Sequence, residues 1–167
     1  MQLLVIRHAT AVTREASATS DADDAQRPLT DDGRRKMAVG AKGLRRLVPA
    51  LDVLAASPFV RAQQTAAIVA KRYGDIPVVT TPSLRPDSAP SAFLTWLRAQ
   101  DGNVVAIVGH EPHLGMLITW LLTGLAESRV PLGKGGASLL EFASAPRKGQ
   151  AMLRWALLPS QLRRMAG

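Results

Sequence analysis

The chain has 167 residues, 47% of them hydrophobic and 20% charged, the balance of a folded globular protein rather than a disordered one. It has no cysteine, which excludes disulfides, thiolate metal sites and a cysteine nucleophile and fits a reducing cytoplasm. A net charge of +8 and a pI near 11.0 suit an anionic partner, but the basic residues are scattered and aromatics make up only 4%, so no nucleic-acid partner is expected.

No apolar run reaches the roughly 18 residues of a membrane span, and Arg7 interrupts the only candidate for a secretion leader. One cytoplasmic domain covering residues 1–167, without a membrane partner, is the expectation. Nothing in the sequence bears on oligomeric state.

The first element is the apolar run Leu3-Leu4-Val5-Ile6, which ends on Arg7 and His8. Four apolar residues in a row suit a strand buried on both faces. Ala11 to Pro28 is polar, carries Glu15, Asp21, Asp23 and Asp24, and is expected as a loop over the strand end. Thr30 then caps a helix with Asp31 and Asp32 in its first turn, Met37, Ala41, Leu44 and Val48 at helical spacing, and Pro49 as its stop. Leu51 to Ala56 predicts a second strand.

Ser57-Pro58 predicts an N-cap and first helical position, followed by a helix to Tyr73 with Ala62, Ala66 and Val69 on its apolar face. Ile76 to Thr80 is a third strand and Pro82 to Pro90 a loop. Ser91 is expected to cap a short helix through Phe93, Leu94 and Leu97. Val104 to Val108 is a fourth strand, apolar throughout and therefore central, and a helix through Leu114, Leu117, Ile118 and Leu121 follows it. Gly133 to Gly136 is a connecting turn, from which Lys134 could approach a substrate. Two last strands, Ala137 to Phe142 and Ala151 to Leu157, form an antiparallel addition, and Leu157 to Met165 is expected as a solvated basic terminus. The strand–helix alternation predicts an α/β fold of three αβα layers, with a mainly parallel sheet of about six strands.

Three strands end on groups suited to phosphate: Arg7 and His8, then Ser57 and Arg61, then His110. In a parallel sheet these share one edge, where ligands bind. Arg61 sits in the first turn of its helix and leans back toward an end that favours anions. Two arginines give bidentate donors, and two histidines give a nucleophile and an oxyanion donor.

Arg7-His8, Ser57-Pro58-Phe59-Val60-Arg61-Ala62-Gln63-Gln64-Thr65 and Gly109-His110 resemble the three signature blocks of the histidine phosphatase superfamily. Ile6-Arg7-His8-Ala9 and Arg27-Pro28-Leu29-Thr30 look most like its SixA-type phosphohistidine phosphatases, and the likeness covers essentially the whole chain. It implies a phosphoglycerate mutase-like fold and a two-step phosphoryl transfer in which His8 carries the phosphoryl. Arg7, Arg61 and His110, with Ser57 beside them, would bind its oxygens without a metal or other cofactor. The implied partner is a phosphorylated protein carrying phosphohistidine. Alternatives are a small phosphomonoester, or a non-catalytic phosphate-binding module with this fold.

Two features depart from the wider family. Mutases carry glycine where this chain has Ala9, and the acid that protonates a leaving oxygen has no clean match. Asp87 and Glu111 are the candidates. A weak acid favours a leaving imidazole, which can depart neutral, or an activated ester over an alkoxide. His110 and His113 stand three apart with Pro112 between them, unlike the i, i+4 pair of zinc hydrolases, so no metal is expected. The turn at Lys134 lacks the P-loop pattern.

Overall fold

The first apolar run forms β1 (Gln2–Arg7), and it is covered on both faces: Leu4 and Ile6 enter one core, Leu3 and Val5 the other, all at 0% exposure. The remaining strands are β2 (Val53–Ala56), β3 (Val78–Thr80), β4 (Val104–Gly109), β5 (Ala137–Glu141) and β6 (Met152–Leu157). The structure is a computed structural model and describes residues 1–13 and 21–167. Glu15 and the middle of the expected loop lie outside the described residues.

The six strands form one sheet in the order β3-β2-β4-β1-β5-β6. β1 to β4 are parallel and β5 is antiparallel to both neighbours, so the added pair reverses only one strand. The helices are α1 (Asp31–Leu47), α2 (Val60–Arg72), α3 (Pro90–Arg98), α4 (His113–Thr123) and α5 (Pro159–Arg164). Met37, Ala41 and Leu44 of α1, Ala62, Ala66 and Val69 of α2 and Leu162 of α5 fill one core. Phe93 and Leu97 of α3 and Leu114 and Leu117 of α4 fill the other. These are the three expected layers.

Local starts follow the sequence in part. Thr30 caps α1 as expected, its Oγ1 accepting from Gly33 N at 2.9 Å. α2 instead begins at Val60 with Phe59 at the cap, because the Ser57 hydroxyl is engaged elsewhere. α3 starts on Pro90 with Ala89 at the cap, so the proline takes the first helical position and Ser91 lies inside the helix.

The C-terminal segment differs most. Leu157 to Met165 is not a solvated tail: Pro159 opens α5, and Leu162 is fully buried against α1. The close approach depends on Gly43, where a Cβ would collide with the Leu162 carbonyl oxygen. Gly43→Ala is therefore expected to destabilise the fold by about 1–3 kcal/mol, read as a lowered urea midpoint. An unchanged midpoint would show that α5 does not dock this way.

Candidate active site

The order β2-β4-β1 sets three carboxyl ends side by side. Arg7 lies opposite Gly109 and Ala56 opposite Val108. The ladder runs one residue further on each side, with His8 N donating to Gly109 O and Ser57 N to Val108 O, both at 3.0 Å. The His8 and His110 rings consequently stand 5.1 Å apart. They open into a cavity of about 340 Å³ that is also lined by Arg7, Asp24, Arg27, Arg61, Glu111 and Lys134. Arg7, His8, Arg61 and His110 thus meet at one sheet edge.

His8 Nδ1 lies 2.7 Å from the Ala9 carbonyl oxygen. A carbonyl can only accept, so Nδ1 carries the proton and Nε2 keeps its lone pair. Arg61 Nε approaches that nitrogen at 3.3 Å. Ala9 N donates to Thr65 Oγ1 at 3.1 Å, and the buried Thr65 hydroxyl donates to Arg61 O at 2.7 Å. One threonine therefore ties the segment after His8 to the first turn of α2. Gln63 and Gln64 extend the same bracing to Ser57 O and Leu29 N.

Arg61 is nearly fully buried and spreads its donors over three acceptors. Besides His8, Nη1 donates to Asp24 O at 2.6 Å and Nη2 to Asp24 Oδ2 at 3.0 Å. Asp24 Oδ1 takes Arg27 Nε and Nη2, each at 2.8 Å, and Arg27 Nη1 reaches Val12 O. Asp24 belongs to a 3-10 turn, Asp21–Gln26, and the base of its loop is closed where Ala11 pairs with Leu29. Among the acids of that polar stretch, Asp24 enters the site and links two guanidinium groups. Nothing in the sequence singled Asp24 out beyond its place in a loop above the strand end.

Ser57 stands behind the site rather than in its wall. It is fully buried, and its Oγ lies 2.8 Å from His110 Nε2, so it orients the imidazole. Phe59 packs against the same ring at 5.0 Å, with the Arg61 guanidinium on its face. Two buried nitrogens, His110 Nδ1 and Arg7 Nε, have no partner among the described residues, while Arg7 Nη1 donates to Leu132 O at 2.7 Å; with His110 Nε2 accepting the Ser57 hydroxyl proton, Nδ1 is a donor like Arg7 Nε.

The two acid candidates are placed differently. Asp87 is 75% exposed, pairs with Arg85 and is absent from the cavity wall. Glu111 lines the cavity, but Oε1 accepts from Leu132 N at 2.9 Å and Oε2 from Gly115 N at 3.3 Å, which holds a loop. His113 is fully buried at the start of α4 and is not part of the wall. No cluster of three metal-ligating side chains forms among the described residues.

Burial lowers the His8 pKa to about 4; the Ala9 carbonyl opposes this, and the charges of Arg61, Arg7 and Lys134 add to it. Burial also pushes His110 down to about 2, helped by His8, Arg61 and His113 and opposed by Asp24. Both rings are neutral in the folded protein near pH 7 but recover the ordinary value of 6.5 on unfolding. Between those values the unfolded chain binds protons that the native state refuses, so stability falls as pH drops. The urea midpoint is expected to be lower at about pH 5 than at about pH 7, and His8→Ala to reduce the difference.

Residues 3–86 match the histidine phosphatase superfamily (branch 1). An uncharacterized protein of Picosynechococcus sp. is 34% identical over 150 residues, 87% of each chain. The chain belongs to the histidine phosphatase superfamily. Within this superfamily, phosphohistidine phosphatase SixA of Escherichia coli strain K12 is 25% identical over 171 residues, covering 98% of this chain and 97% of the other. The structure of the protein histidine phosphatase SixA complexed with tungstate matches with a TM-score of 0.82 at 23% identity, over 97% of this chain and 99% of that one. The superfamily's phosphoglycerate mutase-like α/β fold is the one observed here.

Proposed function

We propose that this chain is a metal-independent phosphatase that removes the phosphoryl group from phosphohistidine in proteins, by way of a phosphohistidine on His8. The observation that carries the reading is the pair of unpartnered buried donors, Arg7 Nε and His110 Nδ1, in the wall that holds the His8 lone pair. Buried donors are otherwise nearly always satisfied, and a phosphoryl oxygen would satisfy both.

His8 Nε2 attacks phosphorus as the bond to the substrate imidazole breaks. The substrate nitrogen leaves as a neutral ring that keeps the proton on its other nitrogen. Arg7, Arg61 and His110 hold the equatorial oxygens and balance their charge. Water then takes the phosphoryl from His8, releasing inorganic phosphate and restoring the neutral imidazole. Both steps exchange the group at an imidazole nitrogen, so neither needs a strong acid. The positions of Asp87 and Glu111 favour this substrate over an ester.

The stretch between α2 and α3 holds β3 and a 3-10 turn, Pro82–Leu84, and adds only Pro86 to the cavity wall. That suits a protein-borne substrate. Turnover of a phosphohistidine peptide is expected to exceed that of para-nitrophenyl phosphate and to survive chelation. Much faster hydrolysis of the ester would overturn the reading.

A further inference from the structure

Beside the strand-end cavity lies a second one of about 220 Å³, whose wall includes Ala9, Lys36, Gly40, Lys134, Pro159 and Arg163. The two adjoin: Lys134 lines both, and Ala9 follows His8 directly. The turn carrying Lys134 is fixed to the end of β1, because Gly135, at φ +78°, donates its N–H toward both Arg7 O and His8 O at 3.2 and 3.1 Å. Lys134 is therefore held in place relative to His8.

Three cations reach this cavity from three separate elements: Lys36 from α1, Lys134 from the turn and Arg163 from α5. No carboxylate of the described residues lines it. Lys36 pairs at 2.6 Å with Asp32, which is not in the wall, while Lys134 and Arg163 have no carboxylate partner among the described residues. Gly40, a buried helix residue, faces this open space: an added Cβ there would meet nothing within 4 Å. Glycine inside a helix costs about 1 kcal/mol relative to alanine, and here the missing side chain leaves space beside three positive charges.

We propose that this side cavity is a second anion subsite, which takes a carboxylate side chain flanking the phosphohistidine of a protein substrate. The inference rests on the phosphohistidine reading above. A peptide that presents its phosphoryl group to His8 must carry its neighbouring residues across the rim. Those passing Lys134 meet Lys36 and Arg163. The net charge of +8 raises the encounter rate with an acidic surface, and Lys36, Lys134 and Arg163 give that attraction a local focus.

The test compares two phosphohistidine peptides that differ only in flanking Glu and Asp against Gln and Asn. At low ionic strength kcat/KM is expected to be about tenfold higher for the acidic peptide, and the preference to shrink with added salt. Arg163→Ala and Gly40→Leu each bring the ratio toward one. Lys148→Ala, in the loop at the opposite end of the sheet, leaves it unchanged. Equal turnover of both peptides by the unaltered protein overturns the subsite and leaves the proposed function standing. Turnover of neither overturns both. A preference that survives Arg163→Ala and Gly40→Leu also overturns the subsite. So does faster turnover of a bisphosphorylated small molecule than of either peptide, which would make the second anion a phosphate.

Discussion

Changing His8 to alanine is expected to lower turnover of a phosphohistidine peptide by at least about 10³-fold and to abolish the phosphoenzyme. The reason is geometric. The Ala9 carbonyl holds the proton on Nδ1, which leaves Nε2 as the nucleophile, and burial keeps the ring neutral far below pH 7. The cations around it would still bind the phosphoryl group, so affinity for inorganic phosphate should change much less than turnover. A labelled phosphoryl donor, quenched within one turnover, reads the intermediate as an acid-labile, base-stable adduct. The same adduct on the His8→Ala protein would place the nucleophile elsewhere.

Loss of Arg61 should be nearly as severe, at about 10²- to 10³-fold in kcat/KM for Arg61→Ala. Arg61→Lys is expected to recover little. One guanidinium spans His8 Nε2, the Asp24 carbonyl and the Asp24 carboxylate, and an ammonium cannot reproduce that planar fork. Asp24→Asn separates positioning from charge: it leaves Arg61 in place but loosens its hold, so a smaller loss of about tenfold is expected. Activity of Arg61→Ala close to that of the parent would remove Arg61 from the transition-state clamp.

The residues that converge were legible because each follows a strand end, and a parallel sheet delivers strand ends to one edge. β1 was readable from four branched apolar residues, and β4 from its unbroken apolar run. The order of strands was not readable: nothing local to β1 or β2 says that β4 comes between them. Asp24 was hidden for a related reason. It is one acid among several in a polar stretch, and it is singled out only when the Ala11–Leu29 pairing folds the loop back over Arg61. Ser57 misled as an N-cap because Ser-Pro is a good helix start, whereas its hydroxyl is drawn to His110 across the sheet edge. The C-terminal segment misled because its basic residues suggested solvent, while one buried leucine and the flat surface at Gly43 decide its docking. Such pairings between distant segments leave no local periodicity.

The placement of β4 also bears on how the molecule is made. β1 and β2 share no ladder; Leu3 lies opposite Val105, and β2 meets only β3 and β4. A nascent chain that has emerged through β3 therefore holds an unpaired first strand and a two-strand ribbon with bare edges. The centre of the sheet closes only when residues 104–109 slot between them, across a loop of about a hundred residues. Such non-local pairing is slow, and the waiting edges are the kind of surface that holdase chaperones cover. The reactive edge is completed only then: Ala9 N and Thr65 Oγ1 already tie the His8 segment to α2, but His110 arrives with β4.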